Sequence, residues 1–537
     1  RVKGKINYSV WSDVFRCPHC GDEMIFWDVA VDKKKLKILN NWECPNCFSI
    51  LSKNPSKKSG ALRAERVIDT IYDRNLGETI LQARQELVLI KYFVGKKRFE
   101  KNPDKEDLLL LIKIKEKEIL YNYPTDKLPI GFNTQQPKES HGFTHTHHFY
   151  TKRNLATLAK LFDSTAYYGS QLLRVRFNVI LQSILSGLVS KLARYNMGKR
   201  GNGPVSGTLY VASLNAEANV ITTFSRKIKY FLFDQRSMDK KNINIQTTSS
   251  TNINSKKLIL DYIFVDPPFG ANLMYSELNF LWESWLKVFT NNNPEAIINN
   301  EQKKKLIEYQ NLMEGCFNDF YRVLKPGHWM TVEFHNSQNA VWNAIQKALL
   351  QVGFVLADVS TLDKQQATFK QITTTSAVKQ DLILSAYKPS SEFEQSFAIK
   401  GGTVQGAWEF IHQHLEQLPM PSKVGGRIEI QSERTPYLLY DRMLAFHLVR
   451  GLTIPLSAGE FYQGLSKGSL LMREGMVFTI PQAAEYDRLR LSAEGVQQLA
   501  LFVTDEASAV QWLRGQLDPE TGDGPQTYAE LQPNFLK

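Results

Sequence analysis

The strongest constraint on the fold is an alternation of short apolar runs and longer amphipathic stretches between residues 257 and 388. The apolar runs are typical of buried strands, and the amphipathic stretches are typical of helices. We predict strands over LILDYIFVD, MTVEFH, FVLADVSTL and QDLILSAYK, and helices over LNFLWESWLKVF, EQKKKLIEYQNLMEGCFNDFYRVL and AVWNAIQKALLQVG. Strands that alternate with helices form βαβ units, so the pattern predicts an α/β fold with a mostly parallel sheet.

The first of these strands ends in the tetrapeptide Asp266-Pro267-Pro268-Phe269. Ligands of open α/β sheets bind at the carboxyl ends of the strands. The prolines lack N–H groups and fix their φ angles, so the loop is rigid and offers acceptors rather than donors. Asp266 and a backbone carbonyl could accept both N–H bonds of an amino group, and Phe269 could stack on a planar base. The pattern indicates a pocket for an amino-bearing nucleobase; the alternative is an ordinary turn with proline as a breaker.

These residues match the signature of amino-group DNA methyltransferases, in which Asp, Asn or Ser precedes Pro-Pro and an aromatic residue. The stretches YRVLKPGHWMTVEFH and QDLILSAYKP resemble later elements of S-adenosylmethionine methylases. Together with SVWSDVFRCPHC, THHFYTKRNL and LMYSELNFLWESWL, the sequence is similar to bacterial adenine-specific DNA methylases that carry a zinc ribbon. The resemblance covers most of residues 1–400. It implies a Rossmann-like methyltransferase sheet with an inserted four-cysteine zinc ribbon.

The resemblance also implies a mechanism. S-adenosylmethionine would donate a methyl group to the N6 amino group of an adenine swung out of double-stranded DNA. Asp266 and the Pro267 carbonyl would hold the amino group, Pro268 would keep the loop rigid and Phe269 would stack on the base. Such enzymes belong to restriction-like or phage-defence systems, whose other subunits are candidate partners. The alternatives are an RNA base-amino methyltransferase and a non-catalytic zinc-ribbon subunit that binds nucleic acid.

Four of the five cysteines form two pairs, Cys17 with Cys20 and Cys44 with Cys47. Each pair has Cys-x-x-Cys spacing, and 23 residues separate the pairs (44 − 20 − 1). Four thiolates at this spacing are typical of a closed, structural zinc site. The alternative is four unpaired buried cysteines. We expect the fifth cysteine, Cys316, to lie in a helix facing the core.

The amino-acid composition indicates which cellular compartment and which kind of binding partner to expect. Lys and Arg number 66 against 54 Asp and Glu, a net charge of +12, which favours a polyanionic partner but is also compatible with a protein that is merely basic. The few cysteines predict a reducing, cytoplasmic compartment. No apolar run approaches the roughly 20 residues of a membrane span.

Shifts in composition and pattern predict four domains: a zinc ribbon over 1–60, a basic mixed α/β insertion over 61–150, the methyltransferase domain over 151–400 and a mainly helical C-terminal domain over 401–537. Within them, alternation predicts a strand over Ile25–Val31. We also predict strands over QELVLIKYFV and TLYVASL, and helices over DKEDLLLLIKIKEKEIL, from Lys152 onwards and over QLLRVRFNVILQSILSGLVSKLARY.

Two further groups of residues are candidates. Tyr275, Glu277 and Asn279 follow the proline loop and either line its pocket or orient the next helix. His141, His145, His147 and His148 cluster in HGFTHTHHFY, where no acidic or Cys partner completes a metal-binding set. The neighbouring Phe149, Tyr150, Lys152 and Arg153 favour contact with nucleic acid, because basic residues among aromatic ones suit phosphate contact and stacking.

One expected motif is missing. In the methylases that the chain resembles, S-adenosylmethionine binds an acidic, Phe- and Gly-rich loop of the form DPFxGxG after a strand, and no such loop occurs here. The chain begins with Arg1 almost at the cysteine pairs, so we expect the cofactor segment to precede it. The cofactor-binding residues therefore remain unassigned.

The missing loop leads to the first prediction. Isothermal titration of the 537-residue chain with S-adenosylmethionine should show weak or no binding. Tight binding would contradict the assignment of the cofactor loop to a preceding segment.

Overall fold

The protein is represented by a computed structural model, which describes residues 4–57, 59–167, 170–197, 201–233, 243–253, 260–335, 338–362, 381–424, 427–492 and 495–497, with Leu513 and Leu517. It divides into two compact units. The first comprises Arg1–Gln246, Leu273–Asn293 and Asn299–Lys303, and the second comprises Thr247–Asn272, Pro294–Ile298 and Lys304–Lys537. The start of the predicted strand LILDYIFVD and most of residues 498–537, in the predicted C-terminal domain, lie outside the described residues. The four predicted domain boundaries stay predictions.

The first unit is built on one antiparallel sheet. The described strands of this unit, which form this sheet and three smaller ones, are β1 Lys5–Arg16, β2 Glu23–Ile25, β3 Val31–Asp32, β4 Lys37–Ile38, β5 Asn41–Glu43, β6 Ile50–Ser52, β7 Leu62–Arg63, β8 Glu65–Arg66, β9 Ile68–Asp73, β10 Glu78–Ala83, β11 Gln85–Val94, β12 Lys97–Lys101 and β13 Leu214–Ala218. The main sheet has the order β12-β11-β1-β13, and both β2 and β8 also pair with β1. All of these pairings are antiparallel, so β1 organises this unit.

The described residues of the same unit form seven α-helices. They are α1 Phe26–Val29, α2 Lys105–Glu116, α3 Phe132–His141, α4 Lys152–Ala166, α5 Gln171–Leu185, α6 Val220–Phe233 and α7 Tyr275–Leu286. Two hydrophobic cores form. One surrounds Phe15, Phe26 and Trp42, and the other surrounds Phe149, Leu181 and Trp285.

Three local predictions in this unit are wrong. The strand predicted over Ile25–Val31 contains the helical turn α1, because burial of Phe26 and Trp27 and a hydrogen bond from Trp27 N to Ser12 Oγ (3.0 Å) override the alternating pattern. TLYVASL forms no strand before Leu214, since Val211 N donates to the Gln136 side chain instead of to a ladder. The long helix predicted from Gln171 ends at Leu185, where Gly187 N bonds to the Ile184 carbonyl in a turn.

The second unit contains the predicted alternation of strands and helices. Its strands are β14 Leu260–Val265, β15 Leu324–Phe334, β16 Val355–Leu362, β17 Asp381–Tyr387, β18 Lys423–Val424, β19 Arg427–Glu429, β20 Leu471–Arg473, β21 Met476–Phe478 and β22 Gly495–Gln497. Its helices are α8 Leu306–Val323, α9 Asn339–Val352, α10 Ser391–Lys400, α11 Val404–Gln417, α12 Pro436–Val449, α13 Ala458–Lys467 and α14 Ile480–Leu491. The chain is mixed α/β, as predicted.

The main sheet of the second unit has the order β14-β15-β17-β16. β14 and β15 are parallel, whereas β17 runs antiparallel to both β15 and β16. Three of these four described strands, β14, β15 and β16, therefore point in one direction, as the predicted mostly parallel sheet requires, and β17 alone is reversed. Helices α8 and α9 provide crossovers that keep β14, β15 and β16 in one direction, but no predicted helix separates β16 from β17, and such strands pair antiparallel more readily.

This strand order positions the candidate site. The carboxyl ends of β14 and β15 and the amino end of β17 meet at one edge of the sheet, because Val265 pairs with Val332 and Phe334 pairs with Leu382. Residues that follow β14 and β15 therefore lie near the first residue of β17. Among the described residues, no helix combines the length and apolar character that crossing a bilayer requires.

Candidate functional site

The proline loop follows β14 directly. Asp266 is exposed, Pro267 and Gly270 are buried, and Pro268 and Phe269 are half-buried. The loop thus presents an acid at the surface while its first proline packs inward. This is the location that the sequence predicts, at the carboxyl end of a strand.

Hydrogen bonds to two carbonyl groups fix the loop. The Tyr309 hydroxyl donates to the Pro268 carbonyl at 2.8 Å, and Gly270 N donates to the same oxygen at 3.0 Å. Ile298 N donates to the Gly270 carbonyl at 3.2 Å. Gly270 has a φ of 65°, in the left-handed region that favours glycine. Among the described residues, none donates to the carbonyl of the buried Pro267.

The Phe269 ring has two neighbours from the end of β15. Its centroid lies 5.5 Å from that of Phe334, edge to face, and 6.0 Å from that of His335. His335 Nδ1 in turn lies 2.6 Å from Oδ1 of the buried Asp381, the first residue of β17. The sequence does not single out His335 or Asp381, because only the strand order brings the end of β15 next to the start of β17.

Glu277, a candidate from sequence, is a buried carboxylate of the first unit. Its Oε2 accepts hydrogen bonds from Asn133 N (2.8 Å) and Asn133 Nδ2 (3.2 Å), and its Oε1 accepts one from Asn299 Nδ2 (3.2 Å). A Cβ at Gly131 would lie 2.2 Å from Glu277 Oε1, so only glycine allows this approach. Glu277 therefore orients α7 against the start of α3, which is the second of the two predicted roles. Tyr275 is exposed and Asn279 is half-buried.

Replacement of Glu277 by Gln should destabilise the protein. A glutamine amide would place its own N–H groups next to N–H groups of Asn133 or Asn299 that now donate to the carboxylate. We therefore expect the free energy of unfolding to fall by about 1–3 kcal/mol. Urea denaturation measures the change. The same substitution at the exposed Glu78 should leave the midpoint unchanged, and equal midpoints for both variants would contradict the role given to Glu277.

The four predicted cysteines lie together in the first unit. Cys17 Sγ is 3.6 Å from Cys47 Sγ, and Cys20 Sγ is 3.6 Å from Cys44 Sγ. Sulfurs that surround one zinc ion at about 2.3 Å lie roughly 3.8 Å apart in a tetrahedron, so the group fits a zinc ion. All four sulfurs can share one ion.

Each Cys-x-x-Cys pair lies in a tight turn, here called a knuckle, and the two knuckles contain equivalent hydrogen bonds. Gly21 N donates to the Cys17 carbonyl at 2.9 Å, and Phe48 N donates to the Cys44 carbonyl at 3.0 Å. The hydroxyl and the backbone amide of Ser49 lower the pKa of the Cys47 thiol, which favours the thiolate form that binds zinc. Cys316 is buried on α8, as predicted for a core residue.

We expect one zinc ion per chain, held by the four cysteines alone. Replacement of Cys17 by Ser should reduce the zinc content from about one ion to near zero and lower the thermal midpoint, because an incomplete sulfur shell binds zinc weakly. Metal analysis of the purified variants measures the content. His19→Ala changes a residue inside the same knuckle and should keep its zinc. Full zinc content in the Cys17 variant would contradict the assignment.

The histidine cluster has an acidic partner that sequence analysis did not find. Asp73, at the end of β9, lies with Oδ2 2.6 Å from His147 Nε2 and 3.3 Å from His148 Nε2. The statement that no acid completes the set is therefore wrong. The β9–β10 hairpin brings Asp73 to histidines that are more than 70 residues away in sequence.

The hydrogen bonds of His148 nevertheless argue against a metal site. Its Nδ1 accepts from Thr144 N (3.2 Å) and His145 N (3.4 Å), so the proton of the neutral ring is on Nε2. A metal on Nε2 would force this proton onto Nδ1, against two backbone donors. Burial lowers the pKa of His148 to about 3, while Asp73, despite its burial, keeps a lowered pKa of about 2 through the hydrogen bond with His147. Asp73 thus accepts hydrogen bonds from two neutral histidines.

The stretch after the histidines is not an exposed nucleic-acid surface. Phe149 and Tyr150 are buried in the second core of the first unit, where they cannot stack on bases. Arg153 pairs with the buried Glu217 at 2.6 Å, and Lys152 Nζ donates to the Lys115 carbonyl at 2.6 Å. The predicted stacking role of Phe149 and Tyr150 is therefore wrong, because both rings are needed for packing. The predicted phosphate contact of the half-exposed Lys152 and Arg153 stays a prediction.

No family model matches the chain, and no curated protein matches it. Two crystal structures of one Thermus thermophilus protein, described as a candidate DNA modification methylase, are similar to part of it. Both are 10% identical with a TM-score of 0.16; the first, a selenomethionine derivative, covers 29% of this chain and 58% of its own, and the second covers 30% and 62%. The chain thus spans about six-tenths of these structures. A TM-score of 0.16 is too low to argue function, so the proposal below rests on this chain's own residues.

Proposed function

We propose that the second unit carries the base-holding half of a DNA adenine-N6 methyltransferase. The observation that carries the proposal is the pairing of an exposed carboxylate, Asp266, with the adjacent Pro267 carbonyl at the end of β14, next to the half-buried ring of Phe269. Two neighbouring acceptors match the two N–H bonds of an exocyclic amine. The ring offers a face on which a flipped base can stack.

The chemistry follows from these groups. Hydrogen bonds from the amino group to Asp266 and to the Pro267 carbonyl raise the electron density on the amino nitrogen and orient its lone pair. The Pro268 carbonyl does not compete for the base, because Tyr309 and Gly270 already donate to it. Phe334 and His335 hold the Phe269 ring on one side, so stacking requires little loss of side-chain freedom.

The methyl donor of this reaction class is S-adenosylmethionine, which supplies an electrophilic methyl group. Neither the sequence nor the described residues contain the acidic, glycine-rich loop that such a donor requires, so no residue is assigned to it. The four cysteines would hold zinc in a structural role, since a closed sulfur shell leaves no position for a substrate. A cytoplasmic restriction-like or phage-defence system is the setting that we propose.

Asp266→Ala tests the proposal. The assay follows transfer of labelled methyl groups to unmethylated double-stranded DNA, with the chain extended by any in-frame upstream sequence. Loss of one acceptor for the amino group should lower the turnover number about 100-fold or more. Asp261→Ala removes an exposed acid from β14, the strand that precedes the loop, and should leave the activity unchanged.

Three outcomes would contradict parts of the proposal. Full activity of the Asp266 variant would remove its role in holding the amino group. Transfer to RNA but not to DNA would favour an RNA base-amino methyltransferase. No transfer to either nucleic acid by the extended chain would favour a non-catalytic zinc-ribbon subunit that binds nucleic acid.

A further inference from the structure

Half of the residues of helix α2 are aliphatic, and none of them is buried. Its sequence, KEDLLLLIKIKE, contains six aliphatic and six charged residues, and Leu108, Leu109, Leu110 and Ile112 are all exposed. A capping box between Asp104 and Asp107 stabilises the first turn of the helix, and Lys101 forms ion pairs with both acids. An apolar surface on a well-anchored helix indicates an interface.

One face of this helix, called the stripe below, carries opposite charges at its two ends. Lys105, Leu109, Ile112 and Glu116 follow the spacing i, i+4, i+7 and i+11, which keeps them on one face. The side chains in the middle are largely exposed, Leu109 to 58% and Ile112 to 52%. The stripe begins with a cation and ends with an anion, both exposed, and neither has an ion-pair partner among the described residues.

We propose that this stripe is the interface of a homodimer in which two copies of α2 pack antiparallel. A two-fold axis between Leu110 and Leu111 places Leu109 of one copy opposite Ile112 of the other. The same axis places Lys105 of each copy opposite Glu116 of the other, which gives two equivalent ion pairs. Such an isologous contact uses one surface patch for both subunits.

The charges favour a second copy over an unrelated partner. An antiparallel copy supplies the opposite charge at each end of the stripe, whereas an identical parallel copy would oppose like charges. A 12-residue helix is about 18 Å long, so the contact lies at the small end of specific interfaces. We therefore expect a dimer that dissociates in the micromolar range and that does not depend on methyltransferase activity.

Sedimentation equilibrium of the full chain between about 1 and 100 µM tests the proposal. The wild-type protein should show a concentration-dependent dimer. Leu109→Gln with Ile112→Gln should make it a monomer over this range, because the apolar centre is lost while glutamine preserves helix propensity. Leu110→Gln is the matched control: Leu110 is equally exposed, at 55%, but lies off the stripe, so its variant should remain a dimer.

Charge reversal tests the orientation. Lys105→Glu should raise the dissociation constant about tenfold, since two attractive pairs become repulsive. Lys105→Glu combined with Glu116→Lys should restore dimerisation, because the pairs are re-formed with exchanged signs. A wild-type monomer at 100 µM would overturn the proposal, as it would leave the surface for another protein or a membrane. Dimerisation that is insensitive to the Leu109 and Ile112 changes, or double reversal without rescue, would overturn it as well.

Discussion

Two consecutive prolines remove two backbone N–H groups from the loop after β14, so the loop is held through its carbonyl groups. The Pro268 carbonyl accepts from the Tyr309 hydroxyl and from Gly270 N, and Gly270 has a left-handed φ of 65°. Tyr309 is itself fully buried on α8, in the core of the sheet. The position of Asp266 and Phe269 thus depends on a hydroxyl that reaches the loop from 41 residues away.

Buried polar groups define much of the first unit. Glu277 accepts three hydrogen bonds, Glu217 pairs with Arg153, and Asp73 accepts from two histidines. Each carboxylate would destabilise the fold strongly if it lost its donors, because a buried charge needs partners. Residues that look functional by type are in these cases structural. They differ from Asp266 in burial, because the Asp266 residue is exposed.

Much of the second unit follows from its sequence. Strands β14 and β15 and helices α8 and α9 lie where apolar periodicity predicts them, and the cysteine spacing predicts the cluster of four sulfurs. The strand direction of β17, the helical turn α1 and the missing strand before Leu214 do not follow. In each case pairing or packing with distant residues decides a conformation that local preference leaves open.

Two local patterns can be recognised from the amino-acid order alone: an acid, two prolines and a ring in one rigid loop, and four thiols at zinc-site spacing. In both, spacing along the chain sets much of the geometry. Three other features depend on the folded chain: Pro268 rather than Pro267 uses its carbonyl inside the fold, Asp381 meets His335 beside the Phe269 ring, and Phe149 and Tyr150 are core residues. Strand order and burial arise from contacts between distant residues, so no local pattern encodes these features.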